Sequence, residues 1–95
     1  MRILIIEDEK IKRITLTDAL LKAGYEVTAF DNPSEAITAF KENEFDVVVT
    51  DLRLPQINGL DLIEKIKSMK PDTQVIVMTA YATVDTAVRA MKLGA

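Results

Sequence analysis

Asp46-Val47-Val48-Val49-Thr50-Asp51 decides the fold. Four β-branched residues in a row, closed by an acid, read as a strand buried on both faces that delivers a carboxylate to its carboxyl end. A second run of the same kind, Arg2-Ile3-Leu4-Ile5-Ile6, is followed by Glu7-Asp8. If the two are neighbouring parallel strands, Glu7, Asp8 and Asp51 meet at one rim of a sheet, where like charges repel unless a cation or a proton intervenes. The pattern points to a divalent-metal site with a reactive or ligating aspartate.

Two further apolar runs, Glu26 to Phe30 and Gln74 to Met78, make four strands in all. The first, third and fourth are expected to be buried on both faces. Between them the spacing is helical. Ile11, Ile14, Ala19, Leu20 and Leu21 form an apolar side that stops at Gly24. Asn32-Pro33-Ser34-Glu35 reads as an N-cap, a proline at the first helical position and a glutamate able to reach back, with Ala36, Ile37 and Phe40 continuing the helix. Leu60, Ile63 and Ile66 line a third helix halted near Met69-Lys70-Pro71-Asp72. Val84, Ala87, Val88 and Met91 make the stripe of a fourth, with Gly94 as its C-cap. The repeating unit is βα, which implies a parallel sheet flanked by helices.

Composition narrows the chemistry. Ninety-five residues, 48% hydrophobic and 28% charged, suit one domain. A net charge of -3 leaves no basic footprint, so direct nucleic-acid binding by this segment is not expected. Cysteine and histidine are both absent, which removes thiolate and imidazole metal sites and histidine acid–base catalysis. No run is long enough to span a membrane, and Met1-Arg2 leads straight into a strand with no signal-peptide pattern, so the cytoplasm is the expected compartment.

Ligands of open parallel sheets collect at the carboxyl ends of the strands. Glu7, Asp8 and Asp51 fall there, and so does Thr79 after the fourth run. Magnesium prefers oxygen ligands and often shares them with a phosphate. Two acids and a backbone carbonyl near Arg53 suffice to hold it, leaving the third carboxylate as an in-line nucleophile toward a phosphoryl group. Asp51 is the better nucleophile of the candidates because it follows the more continuous strand and lies centrally. Thr79 is placed to donate to a phosphoryl oxygen. Pro55 and Gly59 punctuate the loop after Asp51, the glycine allowing a backbone geometry or close approach denied to other residues. Tyr81, two residues beyond Thr79, is expected to flank the entrance or to face solvent, and Arg53, two beyond Asp51, either to control water access to an acyl phosphate or to face solvent. An acidic pair opening a helix also serves as a cap, and a strand-end threonine is often structural; their joint placement on one rim favours chemistry.

These residues together resemble a response-regulator receiver domain. Glu7-Asp8, the stretch from Asp51 through Pro55 to Gly59-Leu60, and Thr79-Ala80 match its acidic pair, its phosphorylation site and its switch hydroxyl. The resemblance covers all 95 residues. It implies a flavodoxin-like (CheY-like) α/β fold with strand order 2-1-3-4-5, Mg²⁺ held by Glu7, Asp8, Asp51 and the backbone carbonyl of Arg53, and phosphoryl transfer to Asp51 from a sensor histidine kinase. Such a domain is a signalling module and not a turnover enzyme. The segment from Thr79 to Ala95 looks like receivers of the NtrC class, which are usually joined to an ATPase that activates sigma-54 transcription and to a DNA-binding domain. The resemblance thus implies a partner receiver or an output domain.

The family pattern continues with a fifth strand, an essential lysine and a fifth helix, so four of the usual five βα units are expected here and the domain, residues 1–95, is expected to be C-terminally incomplete. None of Lys10, Lys12 and Lys92 has a strand-end placement that nominates it as the substitute lysine. Phosphorylation of Asp51 is then expected to be slow or uncoupled from Thr79. Two alternatives stand beside this reading. One is a switch-dead interaction module that associates through an open sheet edge. The other is a Mg²⁺ phosphotransferase of another class, which would want a second acid soon after Asp51 where Leu52 and Arg53 stand.

Overall fold

Each apolar run becomes a strand and the first three amphipathic stretches become helices in the computed structural model, which describes residues 1–51, 54 and 57–78. In chain order these are β1 (Arg2–Ile6), α1 (Lys10–Lys22), β2 (Glu26–Phe30), α2 (Pro33–Glu42), β3 (Val47–Thr50), α3 (Gly59–Met69) and β4 (Gln74–Val77). The strands are all parallel, in the order β2-β1-β3-β4. That is the expected order as far as the described strands go.

Strand periodicity divides the core in two. Leu4, Ile6 and Val48 point to the side covered by α2 and α3, where they meet Phe40, Leu62, Ile63 and Ile66, all essentially inaccessible to solvent. Phe40 stacks on Phe45 with ring centroids 6.4 Å apart. Ile3, Ile5, Val47 and Val49 point the other way and are covered by Leu16 and Leu20 of α1.

The helix ends are tied by side chains and by one glycine. Asn32 accepts from the Ser34 amide at 2.7 Å and Asn58 from the Leu60 amide at 2.8 Å, so α2 and α3 both start on an asparagine cap. At the end of α1, the amide of Gly24 donates to Leu21 and that of Tyr25 to Leu20, a Schellman motif, with Gly24 at φ +95°. The Lys70 ammonium donates to the carbonyls of Phe40 (2.9 Å) and Asn43 (2.6 Å), closing the end of α2.

Three expectations need correction. Asp46 is not part of β3: its carboxylate instead accepts from the Arg2 amide at 2.8 Å, tying the start of β1 to the approach of β3. β4 stops at Val77 and is buried on one face only, with Val75 inside and Gln74 and Ile76 exposed, because among the described residues only its α3 side is packed. The apolar side of α1 is the third case. Ile11, Ile14 and Leu21 are more than half exposed and no residue of α1 is buried; the helix rests on the sheet through Leu16 and Leu20, one turn apart. The expected fourth helix, Val84 through Gly94, lies outside the described residues.

Candidate functional site

Register puts the site together. Ile6 pairs with Thr50 across β1 and β3, so the next residue on each strand, Glu7 and Asp51, leaves the sheet on the same rung. Continuing the alternation by one residue sends both to the side of Ile5 and Val49, the side of α1. The Glu7 amide is held by the Phe30 carbonyl at 3.0 Å, which fixes where the carboxylate begins. Glu7 and Asp51 are 5% and 7% exposed, unusual for acids, whereas Asp8 lies in solvent.

Two cations on α1 serve this rim. The Lys12 ammonium lies 3.1 Å from Glu7 Oε1 and 3.6 Å from Asp51 Oδ2, bridging the two carboxylates. The Arg13 guanidinium donates to the backbone carbonyls of Glu7 (3.0 Å) and Asp8 (3.4 Å) and so pins the β1–α1 loop, since Glu9 at the helix start makes no side-chain cap. The sequence does not nominate Lys12, because it lies on a helix and not at a strand end. A signal was available: helix side chains lean back toward the N-terminus, so a long cation in the first turn after an acidic strand end reaches that end.

The electrostatics follow from burial. Desolvation pushes the Glu7 carboxyl above its ordinary range, with the hydrogen bond from Lys12 opposing and the charges of Asp51 and Asp8 adding to the rise. Lys12 is itself pushed up, chiefly by its hydrogen bond to Glu7. Beneath them a cavity of about 330 Å³, walled by Ile5, Leu16, Val49 and Met78 among others, keeps one side of the rim apolar.

The second oxygen of Glu7, Oε2, is buried and has no hydrogen-bond partner. An orphaned, desolvated carboxylate oxygen beside a second carboxylate is what a hard cation would satisfy, so the donor set fits a divalent ion that takes oxygen ligands. Of the acids on this rim, Glu7, Asp8 and Asp51 are the ones that would hold it. No three acids among the described residues are already gathered closely enough to do so. Lys12 occupies the space between two of them.

A profile of the response regulator receiver domain matches residues 3–95. The chain belongs to that family. Its receiver sequence is 41% identical over 93 residues to the DNA-binding transcriptional regulator NtrC of Azospirillum brasilense, covering 98% of this chain and 19% of that protein. The receiver spans about a fifth of such regulators. Among solved structures it superposes on the beryllofluoride-activated NtrC4 receiver domain dimer with a TM-score of 0.94 at 38% identity, covering 99% of this chain and 78% of that one. It also superposes on a response regulator from Burkholderia pseudomallei that carries a phosphorylated aspartic acid, a calcium ion and citrate, with a TM-score of 0.92 at 35% identity, over 99% of this chain and 55% of that one.

Of the residues nominated from sequence, the receiver fold brings Glu7 and Asp51 together and leaves the Asp8 side chain in solvent at the edge of the same rim. Gly59 opens α3 as a buried residue directly after the Asn58 cap, so it sits in a turn feeding a helix, and its φ is not positive. Arg53, Pro55, Thr79, Ala80 and Tyr81 lie outside the described residues. No described helix is long and apolar enough to cross a membrane.

Proposed function

We propose that this receiver is a phosphoacceptor in a two-component system, with Asp51 as the acceptor. An Asp51 carboxylate oxygen attacks phosphorus in line; the bond to the donor's nitrogen breaks, and its electron pair leaves with the imidazole of a phosphorylated histidine on a sensor kinase. Glu7, Asp8, Asp51 and the backbone carbonyl of Arg53 would hold Mg²⁺. When bound, the ion neutralises charge developing on the transferring oxygens. The cavity below the rim gives Asp51 an apolar neighbourhood on one side. Thr79 would donate its hydroxyl to the phosphoryl group, with Ala80 and Tyr81 beside it, and so bias the receiver between two arrangements.

In this reading the chain is a switch and not a turnover enzyme. It acts in the cytoplasm and passes its state to a second receiver or to an attached output domain, by likeness to NtrC a transcriptional one of the sigma-54 type. The observation that carries the proposal is the shared rung of Glu7 and Asp51 with its orphaned Glu7 oxygen. The test is incubation with acetyl phosphate and Mg²⁺, followed by intact-mass measurement. One phosphoryl group should add to the wild type and none to Asp51→Asn. A wild-type chain that stays unmodified while demonstrably folded would sink the proposal.

A further inference from the structure

The position between Glu7 and Asp51 already holds a cation, and that cation belongs to the protein. Lys12 reaches it from the first turn of α1, with its ammonium 3.1 Å from one carboxylate and 3.6 Å from the other. Its side chain is 41% exposed while those of its two partners are 7% and 8% exposed, so the stem runs along the protein and the head has an open path to solvent. The acids are fixed by the sheet; the lysine is free to swing.

We propose that Lys12 is a tethered counter-ion that closes the acidic site in the absence of a divalent cation and must swing out when one binds, so that this side chain sets the receiver's cation affinity. The inference rests on the divalent site proposed above. An ammonium and a divalent ion cannot both lie between two carboxylates: they compete for the same oxygens, and an ammonium left within hydrogen-bond distance repels the incoming charge. The flexible four-carbon stem makes the exchange cheap in conformational strain. The orphaned Glu7 Oε2 follows from the same arrangement. One ammonium satisfies Oε1 of Glu7 and reaches Asp51, and leaves an oxygen that a larger coordination sphere would take up.

The geometry also separates the two cations of α1. Arg13 bonds backbone carbonyls and holds the loop in either state. Among the described residues Lys12 bonds the side chains that a metal would claim, so its removal should help the metal where removal of Arg13 should not.

The experiment is an Mg²⁺ titration of the whole chain, followed by the backbone amide resonances of Asp8 and Asp51, for wild type, Lys12→Met and Lys12→Arg. Methionine keeps the stem and removes the charge. Lys12→Met should bind about fivefold more tightly than wild type, and Lys12→Arg should stay near or below wild type. Equal or weaker binding by a Lys12→Met variant with native amide dispersion would overturn the exchange. Because that variant leaves two buried acids facing each other, a second readout uses the wild type alone: the labelling rate of the Lys12 amine by a small acylating reagent, located by peptide mass, with and without Mg²⁺. The rate should rise several-fold on adding the ion, and an unchanged rate in protein shown to bind Mg²⁺ refutes the proposal. If neither wild type nor variant shifts at any Mg²⁺ concentration, the divalent site itself is wrong and the exchange falls with it.

Discussion

Replacing Glu7 by glutamine isolates the conflict at the heart of the site. In chelator at neutral pH the wild-type side chain is a desolvated carboxylate with one oxygen bridged to Lys12 and the other orphaned. Leaving a buried polar group unsatisfied costs about 1–3 kcal/mol. The bridge that opposes this cost is made with a lysine side chain 41% exposed, and such pairs contribute about 0.2–1 kcal/mol. Glutamine still buries a polar amide there but no charge, and because desolvation outweighs the Lys12 bridge at Glu7, Glu7→Gln should stabilise the metal-free fold by about 1 kcal/mol, or about 5 °C in melting temperature for a domain of this size. The pH dependence has a definite sign. Burial raises the Glu7 pKa in the folded state, so folding takes up a proton and wild-type stability falls as pH rises from the ordinary value of 4.5 through the raised one. Glutamine does not titrate there. The two urea-unfolding curves should converge toward pH 4.5 and separate above it. Adding Mg²⁺ should then stabilise wild type by mass action and the variant far less, narrowing the gap. A variant less stable than wild type in chelator by more than about 1 kcal/mol would show that the ion pair outweighs desolvation, and would refute this account.

Other outcomes follow from single contacts. Gly24→Ala should cost about 1 kcal/mol in urea unfolding, all of it from the left-handed backbone at φ +95°, since an added Cβ meets nothing within 4 Å; Gly24→Asn should recover part of the loss. Lys70→Met should cost about 2 kcal/mol, because its ammonium bonds two carbonyls at the end of α2 and lies 5.0 Å from the centre of the Phe40 ring; a loss below about 0.5 kcal/mol would make that cap decorative. Arg13→Gln should weaken Mg²⁺ binding about tenfold by loosening the loop that carries Glu7 and Asp8. Its melting temperature should stay near wild type, and unchanged Mg²⁺ affinity would mean that the loop holds its shape without the guanidinium.

Much of the scaffold can be read from the residues because its signals are local. The strand runs of β1 and β2, the Asn32-Pro33 start of α2 and the Leu60, Ile63 and Ile66 stripe of α3 each declare themselves within one element. The same holds for the acids, since a strand end is a local position and the sheet order then does the gathering. What escapes is set by neighbours. Ile11 and Ile14 have helical spacing, yet what a helix buries depends on how it sits over the sheet, and α1 sits on Leu16 and Leu20. β4 has the residues of a central strand but only one packed side among the described residues. Asp46 looks like part of a strand and is claimed by the Arg2 amide, 44 residues away. Lys12 is the instructive omission: a search confined to strand ends passes over a helix residue whose side chain returns to one.

The two faces of the sheet are unequal in a way that bears on motion. Among the described residues, the side under α2 and α3 is a dense core of fully buried side chains, whereas on the side under α1 the helix buries none of its own residues. Amide hydrogen exchange should therefore protect β1, β3, α2 and α3 to nearly the full unfolding free energy, while α1 opens through smaller, local excursions. Lys12 and Arg13 ride on that helix. Each time it loosens, the acids lose their counter-ion and their loop loses its pin, while the strands that carry them stay in place. Among the described residues the receiver thus joins carboxylates on well-packed strands to cations on a lightly packed helix, so exchange of the α1 amides should run ahead of exchange in β1 and β3.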